Sequence, residues 1–420
     1  MAKRVICFAL GGNIATQNAS FNRLIENLHS ENYRFFGAVD GFRTFETGYV
    51  CELNPGQIPK KISGFIAGAG RYTLLNKDET IDQNKLDKAN EFFKKGKFDI
   101  AIGSAGDDHG KQMEILKKEL EGRVNVYVIN KTMDNDLGGR DGIDRAPYTD
   151  FTNGFQSAVV NGVKMIHQHF HGAWTNNLPY LVSHFSRDVN WTGIALAYWG
   201  LADKIIYGEL PEEHPGHSID KIYEIIREAQ KKNNKVYGRE FAMIIVPEST
   251  RIKDIQHESN ELIDAHGHGK LQPELLANSL KVALETRYNL KTQTVGITYE
   301  MRNFKPTNED IDYAERSANA ITYAIRKGEN GLESIFKIRE DSDTQVESGT
   351  APDTWVEAAT APIEKVSQKR YASYYPKPFI DEDKFEVTDE IGIYYKALFG
   401  KRKSLSHILP RKLKIIDVFR

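Results

Sequence analysis

The sequence has little cysteine, and its only two thiols, Cys7 and Cys51, lie far apart among 420 residues. This excludes a disulfide framework and the ligand spacing of a zinc site, and it is typical of a reducing compartment. We expect both cysteines to be buried as small hydrophobic residues. The scarcity of cysteine therefore predicts a cytoplasmic protein.

Long runs of one kind of residue are also missing. The formal net charge is −2 at pH 7 without a cluster of lysine or arginine, so we expect no nucleic-acid partner and no membrane surface as a partner. No apolar run approaches the roughly 18 residues of a membrane span. The chain enters a strand-like segment at residues 5–10 without the pattern of a cleavable signal. A small anionic substrate would need a local basic pocket.

Short apolar runs alternate instead with longer amphipathic stretches, which is the pattern of a parallel sheet with helices on both faces. The predicted strands are residues 5–10, 33–38, 99–102, 124–129, 178–183, 241–246 and 294–298, and the predicted helices include residues 82–95, 110–120, 149–167 and 219–231. We therefore expect an α/β fold that binds its ligands outside the carboxyl ends of the strands.

A glycine pair, Gly11 and Gly12, follows the first predicted strand and precedes a helix that we expect to start near Ala19. Backbone amides at a glycine turn before a helix form an anion site, because glycine allows close approach and the helix dipole favours negative charge. The same pair could be a simple tight turn.

Adjacent carboxylates, Asp107 and Asp108, follow the predicted strand at residues 99–102. Such a pair next to a glycine suits a hard cation such as Mg²⁺, bound together with substrate phosphates. The alternative is the start of a helix, with favourable negative charge in its first turn.

A polar hexapeptide at residues 131–136 follows the apolar strand at residues 124–129. In extended geometry Asp134 and Asp136 point the same way, so one can accept a hydroxyl proton while the other lies near a metal. Lys131 could reach a phosphate, and Thr132 could offer it a hydroxyl group. Runs of Asp and Asn also form ordinary turns.

Further candidate site residues, most of them cationic or polar, lie at other strand ends or in loops, and they are Arg71, Phe185, Ser186, Arg187, Glu248, Tyr299 and Arg302. Arginine forks match the geometry of phosphate, so several at converging strand ends would form a phosphosugar pocket. Each alone could be a surface ion pair. The histidines at 167, 169, 171, 266 and 268 lack carboxylate or thiol neighbours, so we expect them to be solvated.

Taken in this order and spacing, the segments resemble the phosphofructokinase family, and more closely its pyrophosphate-dependent branch. The similarity runs from about Val5 to Ile325, and residues 131–136 match the family's signature fully. Residues 149–155 and the turns at Gly11, Gly106, Phe185, Glu248 and Tyr299 match further elements. Residues 361–366 resemble a segment near the end of longer members.

The resemblance implies two Rossmann-like, three-layer α/β domains with a C-terminal extension. Residues 1–145 with 302–340 would form the phosphoryl-donor domain, residues 146–301 the sugar-phosphate domain, and residues 341–420 the extension. Pockets completed by a neighbouring subunit are usual in the family, so we expect a homodimer or a larger homo-oligomer.

The resemblance also implies residue roles. Asp134 would take the proton from the sugar 1-hydroxyl, and Asp107 would bind Mg²⁺. Lys131, Arg187 and the amides of Gly11 and Gly12 would stabilise the transferring phosphoryl group. The sugar phosphate would be held by Glu248, Tyr299 and Arg302.

Two positions indicate the donor by resemblance. Relatives that use ATP have glycine where this chain has Asp108 and Lys131. Aspartate would repel the α-phosphate of ATP, and lysine can neutralise the pyrophosphate leaving group. The resemblance therefore implies transfer from pyrophosphate to fructose 6-phosphate, as a reversible step of glycolysis.

The chain departs from the family at two interface arginines, where gapless counting reaches Leu178 and Gln293. Lys291 is near enough to replace one of them. Two alternatives therefore stay open: a phosphotransferase for another acceptor, such as sedoheptulose 7-phosphate or a nucleoside, and a non-catalytic ligand-binding paralogue.

Overall fold

The computed structural model describes residues 2–139, 146–186, 189–253, 255, 258–263, 269–340, 354–375 and 377–409. The chain folds into two compact units. The first consists mainly of Met1–Ala158 and Arg302–Arg370, and the second of Val159–Leu262, Gly269–Met301 and Tyr371–Arg420. The predicted domains ended at residues 145, 301 and 340, whereas the units divide after 158, 301 and 370, so each unit receives part of the C-terminal segment.

The strands, numbered in chain order, are β1 (Lys3–Ala9), β2 (Tyr33–Ala38), β3 (Val50–Leu53), β4 (Ile100–Ala105), β5 (Asn125–Asn130), β6 (Pro179–His184), β7 (Lys204–Ile205), β8 (Ala242–Pro247), β9 (Glu258–Ile263), β10 (Gly269–Leu271), β11 (Gln293–Ile297), β12 (Leu332–Glu340), β13 (Thr354–Pro362), β14 (Ile380–Asp381) and β15 (Glu386–Val387). Each strand predicted from the sequence is confirmed, with ends that differ by up to three residues.

The helices are α1 (Gln17–Leu28), α2 (Thr44–Thr47), α3 (Gln83–Gly96), α4 (Asp107–Glu119), α5 (Phe155–Asn176), α6 (Trp191–Trp199), α7 (Ile219–Tyr237), α8 (Pro273–Tyr288), α9 (Tyr299–Asn303), α10 (Asn308–Lys327), α11 (Ile363–Val366), α12 (Glu390–Tyr394) and α13 (Lys396–Phe399). Helix α5 begins six residues later than predicted, because the side chain of Thr149 and the backbone of Asp150 bond to Phe336 on β12 instead.

The sheet of the first unit has the order β13-β12-β5-β4-β1-β2-β3. Strands β2, β1, β4, β5 and β12 run parallel, and β3 and β13 pair antiparallel at the two edges. Both faces are covered: Val5 and Cys7 of β1 pack with α1 and α10, and Ile6 and Phe8 pack with α3 and α4. An apolar run without alternation is what such a doubly covered strand requires. The predicted α/β fold is confirmed.

The second unit has a parallel sheet of order β11-β6-β8-β7. Helix α7 covers one face with Ile219, Ile222 and Ile226, whose three- and four-residue spacing puts them on one side of the helix. The Ser218 side chain caps its start by accepting a hydrogen bond from the Lys221 amide at 3.2 Å, and Gly238 ends it with a φ of 72°.

The two cysteines are free thiols. Cys7 is buried in β1, as predicted, and burial raises the pKa of its thiol. Cys51, on β3, is only half-buried because β3 is an edge strand.

His167 and His169 are half-buried on α5, where burial lowers the pKa of each imidazole, and the histidines at 266 and 268 lie outside the described residues. Among the helices that the structure describes, none has the length and apolar character needed to cross a bilayer.

One carboxyl group in the first unit is buried without a charged partner of its own. Glu333, on β12, is 1% exposed; its Oε2 accepts a hydrogen bond from the Ser367 hydroxyl at 2.9 Å, and its Oε1 has no partner in the described part of the chain. Burial raises the pKa of Glu333 to about 8, against the effect of the Ser367 bond. The folded protein therefore holds this side chain neutral at pH 7.

We expect this group to make the protein less stable as the pH rises. Between the unfolded pKa near 4.5 and about 8, the unfolded chain releases a proton that the folded chain keeps, so the free energy of unfolding falls with pH. The difference in free energy of unfolding between Glu333→Gln and wild type should therefore change by about 2–4 kcal/mol in favour of the variant between pH 5 and pH 8. Urea unfolding at both pH values measures this, with the partly exposed Glu357→Gln on β13 as control. If the free energies of unfolding of Glu333→Gln and wild type differ by the same amount at both pH values, the assigned role of Glu333 is wrong.

Candidate active site

Three turns of the first unit meet at one edge of its sheet. Strands β1, β4 and β5 are adjacent, with Ala9 opposite Ser104 and Ala105 opposite Asn130. Because parallel strands end at the same edge, the residues that follow each strand come together there. These are the glycine pair after β1, the two aspartates after β4 and the hexapeptide after β5.

The glycine turn is surrounded by positive charge. Gly11 has a φ of +77° and donates its amide to the Gly70 carbonyl at 2.8 Å. The Lys131 ammonium donates to the Gly12 carbonyl at 2.6 Å. A Cβ on Gly12 would stand 2.9 Å from Nη1 of Arg302 and 3.6 Å from Nη2 of Arg71. Three cationic side chains therefore surround Gly12, one bound to its carbonyl and two beside its Cα.

The electrostatics of Lys131 suit an anion. Its side chain is 5% exposed, and burial, followed by the charges of Arg302 and Arg71, lowers the pKa of the amine to about 7. Asp134 and Asp136 act in the opposite direction. A bound polyanion would stabilise the ammonium form, because it offsets both the desolvation and the repulsion. The site has the charge that a phosphate group requires.

The two aspartates after β4 open helix α4. Gly106 is the N-cap residue, and Asp107 and Asp108 are the first two helical residues. Burial, followed by the charge of Asp108, raises the pKa of Asp107 to about 6, and Lys369 opposes this rise. The alternative interpretation, the start of a helix with negative charge in its first turn, is therefore confirmed, and the binding of Mg²⁺ at this pair stays a prediction.

The hexapeptide forms a turn and is not extended as predicted. Asn135 has a φ of 59°, and the Asp134 amide donates to the Thr132 hydroxyl at 3.1 Å. The two carboxylates still interact: burial, followed by Asp107 and Asp134, raises the pKa of Asp136 well above its usual value. The extended geometry was wrong because a local side-chain bond closes the turn, and the turn rather than the two-residue period places the carboxylates.

The acidic cluster fits a divalent cation. The Oδ1 atom of buried Asp136 has no hydrogen-bond partner within the described residues, and Asp107 and Asp136 both resist ionisation. A cation would compensate this excess of negative charge. Within the part of the chain that the structure describes, no three carboxylate, imidazole or thiolate groups could enclose a metal by themselves. Mg²⁺ bound at Asp107 would therefore keep water and phosphate oxygens in its shell.

Residues before helix α5 brace the hexapeptide. The Thr132 amide donates to the Asn153 carbonyl at 3.2 Å, and the Thr152 hydroxyl donates to the Thr132 carbonyl at 2.7 Å. The Asp310 carboxylate accepts from the Gly154 and Ser157 amides at 3.3 and 3.1 Å. The segment at residues 149–155, which resembles a family element, thus fixes the backbone of the hexapeptide at Thr132.

Sequence reasoning missed two cations near these turns. The charge of Lys369 acts on Asp107, and the buried guanidinium of Arg370 donates to the Asn135 carbonyl at 2.8 Å. Neither residue stood out, because both follow a polar stretch with no periodic pattern. The only signal was the nearby resemblance at residues 361–366.

In the second unit, the predicted residues after β6, β8 and β11 lie at neighbouring strand ends. The Glu248 Oε1 atom accepts a hydrogen bond from the Ser186 amide at 3.2 Å. The rings of Phe185 and Tyr299 meet edge to face at 5.1 Å, and Tyr299 is 58% exposed. Arg187 lies outside the described residues. Arg302, which we grouped with Tyr299, belongs to the first unit and lies beside Gly12.

The two positions without the expected arginines are also neighbours in this sheet. Leu178 directly precedes β6, and Gln293 is the first residue of β11, opposite Tyr180. Gln293 and Lys291 are exposed, and Leu178 is half-buried. Both positions therefore lie at the amino ends of the strands, at the edge opposite Ser186 and Glu248.

Comparison with known proteins shows which family this chain belongs to. The phosphofructokinase family profile matches residues 4–325. A pyrophosphate–fructose 6-phosphate 1-phosphotransferase of Thermotoga maritima is 23% identical over 325 residues, which cover 74% of this chain and 75% of that protein. An ATP-dependent 6-phosphofructokinase of Lacticaseibacillus casei is 24% identical over 285 residues, covering 66% and 79%.

Solved structures show the same fold. A pyrophosphate-dependent phosphofructokinase of Marinobacter aquaeolei has a TM-score of 0.72 and 15% identity, covering 98% of this chain and 95% of that one. The corresponding protein of Nitrosospira multiformis has a TM-score of 0.72 and 17% identity, covering 99% and 100%. With its α/β fold, its acidic turns and a profile match over most of its length, this chain belongs to the phosphofructokinase family.

Proposed function

We propose that this protein transfers a phosphoryl group from pyrophosphate to the 1-hydroxyl of fructose 6-phosphate, with Mg²⁺, giving fructose 1,6-bisphosphate and phosphate. The observation that carries the proposal is the convergence of Lys131, Arg71 and Arg302 on Gly12. Pyrophosphate is a compact polyanion without a nucleoside, so its recognition depends on concentrated charge of this kind.

Two side chains favour pyrophosphate over ATP. Asp108 stands where ATP-using relatives have glycine, next to the acidic cluster, and would repel a third phosphate. Lys131 replaces a second glycine and is already directed at the glycine turn. Pyrophosphate-dependent and ATP-dependent relatives match this chain at 23% and 24% identity, so overall similarity does not indicate the donor. Our proposal of pyrophosphate therefore rests on Asp108 and Lys131.

The proposed mechanism assigns the proton to Asp134. This carboxylate is not fully buried and lies beside Asp136, whose neutral form is favoured, so Asp134 is the group left to accept the sugar hydroxyl proton. Lys131, Arg71 and Arg302 neutralise charge on the transferring group. Bound Mg²⁺, held through Asp107, would screen the phosphate oxygens from each other.

The acceptor is the less constrained part of the proposal. In the second unit, Glu248 is fixed by the Ser186 amide and Tyr299 presents an exposed phenol, and both suit hydroxyl groups of a sugar. The absence of arginine at Leu178 and Gln293 favours a second candidate, a phosphotransferase for another acceptor such as sedoheptulose 7-phosphate or a nucleoside. We propose a cytoplasmic homodimer or larger homo-oligomer.

A donor and acceptor matrix tests this function. Purified protein is assayed for Mg²⁺-dependent phosphate release from pyrophosphate, with fructose 6-phosphate, sedoheptulose 7-phosphate and a nucleoside as acceptors, and in parallel with ATP. We expect turnover with pyrophosphate and fructose 6-phosphate. Turnover with another acceptor alone would establish the second candidate, and turnover with ATP alone would reject the donor. Binding without turnover for every pair would indicate a non-catalytic paralogue.

A further inference from the structure

A short segment beyond the matched region lies against the catalytic hexapeptide. We call residues 366–370 the strap. The Gly138 amide donates to the Val366 carbonyl at 2.8 Å, and the Gly139 amide donates to the Gln368 carbonyl at 3.0 Å. The family profile ends at residue 325. The strap therefore adds a strand-like contact, from outside the matched region, to the chain that follows Asp136.

The last residue of the strap, Arg370, is bound to three backbone carbonyls. Its amide donates to the Asp136 carbonyl at 2.7 Å, and its guanidinium donates to Asn135 at 2.8 Å and to Asp150 at 2.6 Å. The side chain is 1% exposed. Bonds from a charged donor in a buried setting are stronger than those between neutral groups, and the planar fork fixes two carbonyls at once.

Two of these carbonyls, those of Asn135 and Asp136, belong to the turn that carries the acidic pair. Asn135 has a left-handed φ of 59°, which asparagine adopts more readily than most residues but less freely than glycine. The bonds from Arg370 to the carbonyls of Asn135 and Asp136 hold this turn from outside.

The strap is within electrostatic reach of the second acidic turn as well. Lys369 pairs with Leu137 in an antiparallel bridge and is half-buried. Its charge acts on Asp107 at the start of α4. One segment thus contacts the base-carrying turn and faces the aspartate that we assign to Mg²⁺.

We propose that Arg370 is a positioning residue for phosphoryl transfer, which acts by fixing the turn of Asp134, Asn135 and Asp136 from the strap. Arg370 itself touches no reacting atom. The inference rests on the proposed function only in assigning the base to Asp134; it holds for either phosphoryl donor.

The test separates positioning from stability. Arg370→Met keeps the length of the buried stem and removes the guanidinium. We expect kcat to fall about 100-fold, as for a base displaced by about 1 Å, while the KM for the donor changes less than about five-fold. Arg239→Met is the matched control, because Arg239 also donates to two backbone carbonyls, those of Trp174 and Thr175 in the last turn of α5, in the second unit. This control should keep its kcat.

Three further measurements keep the test decisive if Arg370→Met folds poorly. Arg370→Lys keeps the charge but can reach fewer carbonyls, and we expect it to lose about ten-fold in kcat. Guanidinium ion added at millimolar concentration should partly restore Arg370→Met and leave Arg239→Met unchanged. Hydrogen exchange should be faster across residues 134–139 in both Arg370 variants, whatever the activity.

An unchanged kcat for folded Arg370→Met or Arg370→Lys would overturn the inference, and so would unchanged exchange across residues 134–139. The donor that the wild-type protein uses serves for every variant. If wild type uses ATP, the proposed donor fails while the Arg370 test still runs. If wild type has no turnover, exchange across the turn decides whether the strap fixes it.

Discussion

Asp134→Asn should abolish most of the activity while leaving the fold intact. The amide has the size of the carboxylate but cannot accept the sugar hydroxyl proton, and loss of a general base lowers kcat by about 10²–10⁴-fold. Donor binding should be retained or improved, because Asp134 is one of the charges that act on Asp136. Initial rates and donor-induced thermal shifts measure these two effects separately.

Asp87→Asn on α3 is the matched control, since this exposed carboxylate accepts a hydrogen bond from Gln83 at 2.9 Å and serves no proposed role. It should keep wild-type kcat. If Asp134→Asn stays within three-fold of wild type, another group takes the proton, and the assignment of the base is wrong.

The double variant Asp108→Gly/Lys131→Gly should change the donor preference. Removing a phosphate-directed lysine from a buried site should lower kcat/KM for pyrophosphate about 10²–10³-fold, the loss typical of one stabilising group in an active site. Removing Asp108 takes away a charge that opposes the extra phosphate of ATP. The ratio of kcat/KM for ATP to that for pyrophosphate should rise about 10³-fold, measured with both donors at fixed Mg²⁺.

The control for this variant removes one acid and one lysine elsewhere on α4. Glu114→Ala/Lys118→Ala eliminates an ion pair of 2.6 Å on the exposed side of that helix and should leave the donor ratio unchanged. The single variants show which charge matters more: we expect Lys131→Gly to lower pyrophosphate use and Asp108→Gly to raise ATP use. An unchanged ratio in the double variant would mean that these two positions do not select the donor.

The sequence by itself predicted four strands of the first sheet, three strands of the second, and the turns to which we assign the chemistry. Apolar runs such as residues 5–10 could be assigned to strands because a strand covered on both faces has no polar alternation. The ends of helices were less well predicted: the helix expected over residues 219–231 continues to Tyr237, where Gly238 ends it. Parallel strands must end at one edge, so the proximity of Gly11, Asp107 and Lys131 also followed from the order of the elements.

Contacts between residues distant in the chain could not be predicted in this way. Arg302 was assigned to the sugar phosphate from its place in a motif, but its guanidinium lies beside Gly12, almost 300 residues earlier. The turn at Asn135 depends on a local bond to Thr132 and on Arg370. No periodic pattern records such pairings, because they arise only when separate segments pack.

The same distinction applies to charge. The sequence identified Lys131, Asp107 and Asp136 as polar groups at strand ends, and these types suit phosphate and Mg²⁺ in any protein. Only the tertiary structure decided that Lys131 and Asp136 are buried, that Asp107 is half-buried, and that their charges interact, with a lysine pKa near 7 and carboxyl pKa values raised. Burial and proximity, not residue type, set these energies, since desolvation and Coulomb interaction depend on what surrounds each charge.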